Sequence, residues 1–386
     1  GAFNEQFDNY VLYSGLLTDE FIAAGTFPTR IQVYNRDILV DNGTVTDGVA
    51  EVMHRARLTA DTAVVIFSAA LDDEAFAEVT DDLRKGIAVG QLYGGFMRQL
   101  LAELYCETPI ASGPVLSSDE LATQALALFE AAQAHGDLTD AARVGQVRAL
   151  MWLGEYTRAA AIAETVSEEF ELLSEFSDNT PEQYNEVVDF TLGIGDQRIR
   201  WTVGDGEQAA RGNERWPYFD EWVAIGLIYP KANEDEVTGN AFASGIPVNA
   251  QMKYTTLGDD IVLASRTEAD LVIAEVAIRN GAFAEANAII NGYRAEWGLG
   301  PIDFADVAAL RASIEKPLPA SAESDLNVRL AAMARERARE LWLTGDRQAT
   351  LRRYYEHYGL DLYPQRTGTS VCCPIPQQEL DNNDNL

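Results

Sequence analysis

Two segments more than one hundred residues apart align without a gap: ALMWLGEYTRAAAIAETV (Ala149–Val166) and VAIRNGAFAEANAIINGY (Val276–Tyr293). Gly154 matches Gly281, Tyr156 matches Phe283, Ala159 matches Ala286, and Ile162 matches Ile289. Each segment reads as a helix, a tight glycine turn, an aromatic, and an alanine-rich second helix. Small residues let two antiparallel helices approach closely, and the aromatic plugs the turn between them. Such a unit has an apolar face it cannot bury alone, so it must stack on others. A mostly α-helical chain follows.

Hairpins of this tetratricopeptide type normally follow one another, but this array is interrupted. Upstream, the first forty residues read as helical, then turn-rich around Phe27–Asn35. A helix over residues 46–71 puts Val49, Val52, Met53 and Ala56 in phase, and another from about Asp81 to Cys106 aligns Leu83, Ile87, Leu92, Phe96, Leu100 and Leu104. Pro109, Gly113 and Pro114 break that helix. Ser118 then caps a helix that ends at Gly136. The interruption runs from Phe170 to Asp260, punctuated by Pro181, Pro217, Pro230 and Pro247, with β-like runs RIRWTV and WVAIGLIY. A loop-rich insertion this long in a helical domain is usually functional. The organisation is one domain, 1–386, with helical parts at 81–169 and 261–356 and a ligand-binding insertion at 170–260.

A formal net charge of −32 excludes a nucleic-acid binder, which needs a basic face, and disfavours docking on anionic lipid through the protein surface. No apolar run reaches the ~20 residues of a membrane span. GAFNEQFDNYVLYSGLLTDEF reads as the middle of a helix entered without a cap, which implies residues before Gly1. Signatures of P-loops, nucleophile elbows, zincins and EF-hands are missing, and no cofactor or metal is implied. Gly204, Gly206 and Ala209 have GxGxxA spacing, but without a βαβ pattern around them a hairpin turn is expected. Carboxylates are too abundant to nominate a glycosidase pair by spacing. Of the three cysteines, Cys106 can pair with either Cys372 or Cys373 in an oxidising compartment.

RERARELWLTGDRQATLRR (Arg335–Arg353) gathers six arginines in this acidic chain. On a helical wheel Leu330, Ala334, Ala338, Leu341 and Trp342 form the apolar face, with Arg335 and Arg339 pointing away and Arg337 in its middle. A guanidinium there must be paired, because an isolated buried charge costs several kcal/mol. Glu275, among Leu271, Ala274 and Ile278, is the expected partner, with Glu340 competing. The stretch therefore reads as framework rather than a phosphate patch.

The insertion concentrates Trp201, Trp216, Tyr218, Phe219 and Trp222 near Arg198, Arg200, Arg215, Asn213, Asp220 and Glu221. Aromatic faces beside planar hydrogen-bonding groups can stack on sugar rings. The candidate ligand contacts are Trp201, Trp216, Tyr218 and Trp222 for stacking, with Arg215 and Asp220 for directional hydrogen bonds. The competing reading makes these aromatics the core beneath the loops. Trp152, Trp297 and Trp342, on helices or at their ends, belong to the core.

SRTEADLVIAEVAIRNGAFAEANAIINGYRAEWGL, RERARELWLTGDRQATLRRY and the terminal PIPQQELDNNDNL together resemble the C-terminal part of SusD/RagB proteins. RALMWLGEYTRAAAIAETV, GDQRIRW, Lys253–Tyr254 and GLLTDEF fit the same pattern in order. The resemblance implies a mostly α, SusD-like fold, with four tetratricopeptide-like hairpins packed against an irregular ligand-binding region. It also implies a non-enzymatic nutrient-binding lipoprotein on the extracellular face of the bacterial outer membrane, anchored by an N-terminal lipid absent from this chain. It would capture an oligosaccharide or other small nutrient for a SusC-like TonB-dependent transporter. No binding residue carries over by motif. A surface assembly protein and a hydrolase with an unrecognised carboxylate pair are the alternatives.

Overall fold

The computed structural model describes residues 4–194, 198–199, 201–206, 215–232, 240–241, 248–313 and 324–385. The helices that carry the architecture are α1 (Asn4–Leu17), α2 (Val52–Leu71), α3 (Thr80–Leu104), α4 (Ser118–Ala132), α5 (Thr139–Trp152), α6 (Tyr156–Ala163), α7 (Arg266–Arg279), α8 (Phe283–Glu296), α9 (Asp325–Glu340) and α10 (Asp346–Tyr358). The matched segments fold as the same unit. Gly154 (φ 75°) turns α5 into α6 and Gly281 (φ 76°) turns α7 into α8, both in the left-handed region that a side chain disfavours.

From α2 to α6 each helix packs on the next, and α7 packs on both α5 and α6. The two matched hairpins are therefore stacked neighbours despite the insertion between them. A clamp at the insertion's base permits this. Strand Glu171–Ser174 pairs antiparallel with Ile261–Ser265, and the Arg266 N–H donates to the Phe170 carbonyl at 2.8 Å. Arg148 of α5 donates to both carboxylate oxygens of Glu268 on α7 (2.8 and 2.7 Å) and to the Leu263 carbonyl (3.1 Å). With its ends held together, the insertion leaves the helical stack continuous.

Local differences from the sequence reading have local causes. Phe27–Asn35 is not all turn. Pro28 starts a short helix, Pro28–Tyr34, where its missing N–H costs nothing. The cap of α4 is Ser117, not Ser118. Ser117 Oγ accepts from the Glu120 N–H (3.3 Å), and the Glu120 carboxylate accepts from the Ser117 N–H (2.8 Å). WVAIGLIY divides between the helix Phe219–Ala224 and the strand Ile228–Ala232.

Cys106 pairs with Cys372, and Cys373 is a buried thiol. Backbone bonds from Cys106 N to Cys373 O (2.9 Å) and from Cys373 N to Leu104 O (2.8 Å) hold the segment beside the end of α3. Adjacent side chains of an extended segment point opposite ways, so one cysteine meets Cys106 and the other enters the core.

Five of the six arginines in the stretch, Arg337, Arg339, Arg347, Arg352 and Arg353, are framework, but their pairing corrects the expectation. Arg337 Nε donates to Asp346 Oδ2 (3.3 Å) and Thr350 Oγ1 (2.9 Å), and Nη2 also meets Asp346. Glu275 is held instead by Arg353, with Nη2 2.8 Å from Oε2. Glu340 accepts from Arg339 (2.7 Å) and from Trp297 Nε1 (3.1 Å). The reason is α10, which packs against α9 and supplies both Asp346 and, two turns on, Arg353. Arg339 does not point into solvent either; it is 2% exposed. Glu336 and Glu340 neutralise it, and the Tyr218 ring from the insertion lies 5.6 Å from its guanidinium. Arg347 pairs with Asp19 through two 2.8 Å bonds. Arg352 donates to the carbonyls of Ala102 (2.8 Å) and Tyr105 (2.5 Å), satisfying acceptors at the C-terminal end of α3.

Candidate ligand-binding site

Among its described residues the insertion has only short helices and strands, and it docks through its largest side chains. Trp201 lies among Tyr13, Phe21 and Phe190, with ring centroids 5.3, 5.7 and 4.9 Å away. Trp222 lies 4.0 Å from Trp342, at the turn between α9 and α10, and 5.2 Å from Trp216. Each such ring buries ~150–250 Å², enough to fix a loop segment on a helical scaffold. Trp201, Trp216 and Trp222 are each 1% exposed, which corrects their expected role as stacking platforms. These rings are core, because Trp342 and α1 offer faces that the sequence run alone does not reveal.

Arg215 and Asp220 are both exposed and meet in an ion pair, with the Arg215 guanidinium 5.7 Å from the Phe219 ring centroid. Asp205 bridges Arg215 antiparallel and the Trp216 N–H donates to the Gly204 carbonyl (2.9 Å), so the backbone around the glycine pair runs antiparallel to Arg215–Trp216. Ala209, Arg200 and Asn213 lie outside the described residues, as does the side chain of Arg198.

Of the expected stacking rings, Tyr218 borders a cavity. A cavity of about 310 Å³ lies where the insertion meets α8, the loop after it, and α9. Its polar wall comprises Tyr218, Glu221, Arg294, Asp303, Arg335 and Glu336. The floor is preorganised. Glu336 accepts from Arg294 Nη1 (2.7 Å) and pairs with Arg339, while the Tyr218 hydroxyl lies 3.5 Å from it. Burial first, and then the Glu336 charge, push the Tyr218 pKa up, so the phenol keeps its proton. Asp303 accepts from the Ala305 N–H (2.9 Å) and Asn287 (2.8 Å), which hold its carboxyl below the ordinary value.

Arg294, Asp303, Arg335 and Glu336 were missed as site residues. They come from separate segments and share no local signal: Arg294 is on α8, Asp303 is in the loop after it, and only Arg335 and Glu336 share α9. A void of about 20 Å³ beside Glu103, Arg148, Asp346 and Arg353 holds no more than about one water and belongs to the framework.

Solved structures share this fold along nearly the whole chain. A SusD superfamily protein from Bacteroides fragilis matches 100% of this chain and 96% of its own, with a TM-score of 0.68 at 15% identity. The chain has a SusD-like fold. Surface glycan-binding protein A from Bacteroides uniformis matches 98% of this chain and 92% of its own, with a TM-score of 0.62 at 15% identity. A SusD-like carbohydrate-binding protein from Bacteroides vulgatus matches 92% and 81%, with a TM-score of 0.63 at 14% identity. No protein-family model and no curated protein sequence matches the chain. Among the described residues, no helix is long and apolar enough to cross a membrane.

Proposed function

We propose that this protein captures saccharides on the extracellular face of a bacterial outer membrane and hands them to a SusC-like TonB-dependent transporter. It makes and breaks no covalent bond in doing so. The observation that carries this reading is the likeness in fold, over 92–98% of this chain, to a surface glycan-binding protein and a SusD-like carbohydrate-binding protein. The mixed polar and apolar cavity at Tyr218 supports it, since ligand sites join an apolar wall to a few fixed polar groups. On this reading Tyr218 belongs to the cavity wall, and the exposed Arg215 and Asp220 supply hydrogen bonds outside it.

Isothermal titration of the purified protein against a panel of oligosaccharides tests capture, and purification of the tagged protein from native outer membranes tests delivery. Saturable binding and a co-purifying large barrel are expected. A panel with no binder, or release of smaller sugars from it, would overturn the capture reading. A preparation free of any barrel would overturn delivery.

A further inference from the structure

We infer that the cavity takes a saccharide bearing a carboxylate, and that Arg335 is the group that reads it; this rests on the glycan-capture reading above. Arg337, Arg339, Arg347, Arg352 and Arg353 are buried and each meets a carboxylate: Asp346, Glu336, Asp19, Glu356 and Glu275 respectively. Arg335 differs. It meets no carboxylate among the described residues. Its Nη1 donates to the Ser313 carbonyl (2.5 Å), and its guanidinium lies 5.7 Å from the Tyr218 ring centroid. It is half-buried and lines the cavity.

The other cation of the wall is already committed. Arg294 is bound to Glu336 (2.7 Å) and donates Nε to the Gly300 carbonyl (2.6 Å). Glu336 is shared between Arg294 and Arg339, so neither it nor Arg294 offers an uncompensated charge. Arg335 is then the one cation of the cavity wall, among the described residues, still able to receive an anion. Its planar fork suits a carboxylate, which it can hold through two parallel N–H bonds. Glu221 and Asp303 face the same space. They accept hydrogen bonds and would repel a densely charged polyanion, but sugar hydroxyls are donors that satisfy them. A ring that joins one carboxylate to several hydroxyls, a uronic acid residue, matches that set. At about 310 Å³ the cavity lies at the small end of ligand pockets (~300–1,000 Å³), which favours a short segment of such a chain.

The test is calorimetry with short oligosaccharides that carry a single uronic acid residue, aldobiouronic and aldotriouronic acids among them, against their carboxyl-reduced neutral counterparts. Wild type, Arg335→Gln and Arg335→Lys are compared. A uronate should bind wild type about tenfold or more tighter than its reduced form, the scale of a charge-assisted hydrogen bond. Arg335→Gln should erase that difference, and Arg335→Lys should restore part of it, with thermal midpoints unchanged. Binding of neutral glycans with no preference for any uronate would overturn this inference and leave the capture reading standing. Uronate binding that survives Arg335→Gln would also overturn it. If neither class binds, both readings fall together.

Discussion

Arg353 and Glu275 meet in the interior between α10 and α7, with Nη2 2.8 Å from Oε2 and the Glu275 side chain wholly buried. Burial raises the Glu275 pKa, but the Arg353 guanidinium, helped by Arg337, more than reverses this and holds it below the ordinary carboxylate value. The pair ties the α7–α8 hairpin to the helix that follows the arginine-rich turn. Beside it, Arg337 and Asp346 tie that same helix to α9.

Glu275→Ala should therefore cost about 3–5 kcal/mol in urea unfolding, because it strands the Arg353 charge in the interior. The double change Glu275→Leu with Arg353→Met should cost less than the single one. A single variant as stable as wild type would show that the pair does not hold α7 to α10.

Closing a loop between Cys106 and Cys372, 266 residues apart, restricts the unfolded chain over most of its length. Loop entropy sets the contribution at roughly 5.5 kcal/mol as a ceiling, with ~2–4 typical of native disulfides. Cys106→Ser with Cys372→Ser should lower unfolding stability within that range. Cys373→Ser should leave one disulfide intact by mass spectrometry and thiol titration, since Cys373 is the free thiol.

Trp222→Ala should behave as a core truncation, costing about 3–5 kcal/mol and changing the near-ultraviolet dichroism of the Trp216–Trp222–Trp342 cluster. Arg335→Gln should change neither. Wild-type unfolding behaviour in Trp222→Ala would restore that ring as a candidate ligand contact.

Glu20 sits buried with Oε1 accepting from the Leu343 N–H (2.9 Å) and Oε2 without a hydrogen-bond partner among the described residues. Burial pushes its pKa up to about 8, against the opposing pull of the Leu343 N–H and Arg347. A carboxyl that holds its proton more tightly when folded stabilises the protein below its unfolded pKa, near 4.5, and loses that contribution as pH rises through about 8. Lys253, pushed down to about 8 by burial, changes stability only above that pH, where its contribution rises with pH. Glu20→Gln keeps the Leu343 bond and should flatten the fall in unfolding free energy between about pH 5 and pH 8. Parallel pH profiles for variant and wild type would contradict the buried-carboxyl account.

The helical hairpins were legible because their information is local. A glycine with φ near 75°, an aromatic two residues on and small residues on the facing side recur in order, and each acts on its own turn. That Arg337 needs a carboxylate was equally legible, since the burden of an unpaired buried charge does not depend on which neighbour relieves it. The partner's identity was not legible, because it depends on a third helix, α10, lying alongside the two whose faces were compared.

The sequence by itself determined a stack of paired helices interrupted by an aromatic-rich insertion, through periodicity and turn chemistry acting over a few residues. Tertiary structure alone decided that Trp201, Trp216 and Trp222 face inward, because their rings close on α1 and on Trp342, more than one hundred residues from their own segment. It also decided where the cavity at Tyr218 lies. The cavity exists only where three distant segments leave space between them, and such space has no signature in any one of them.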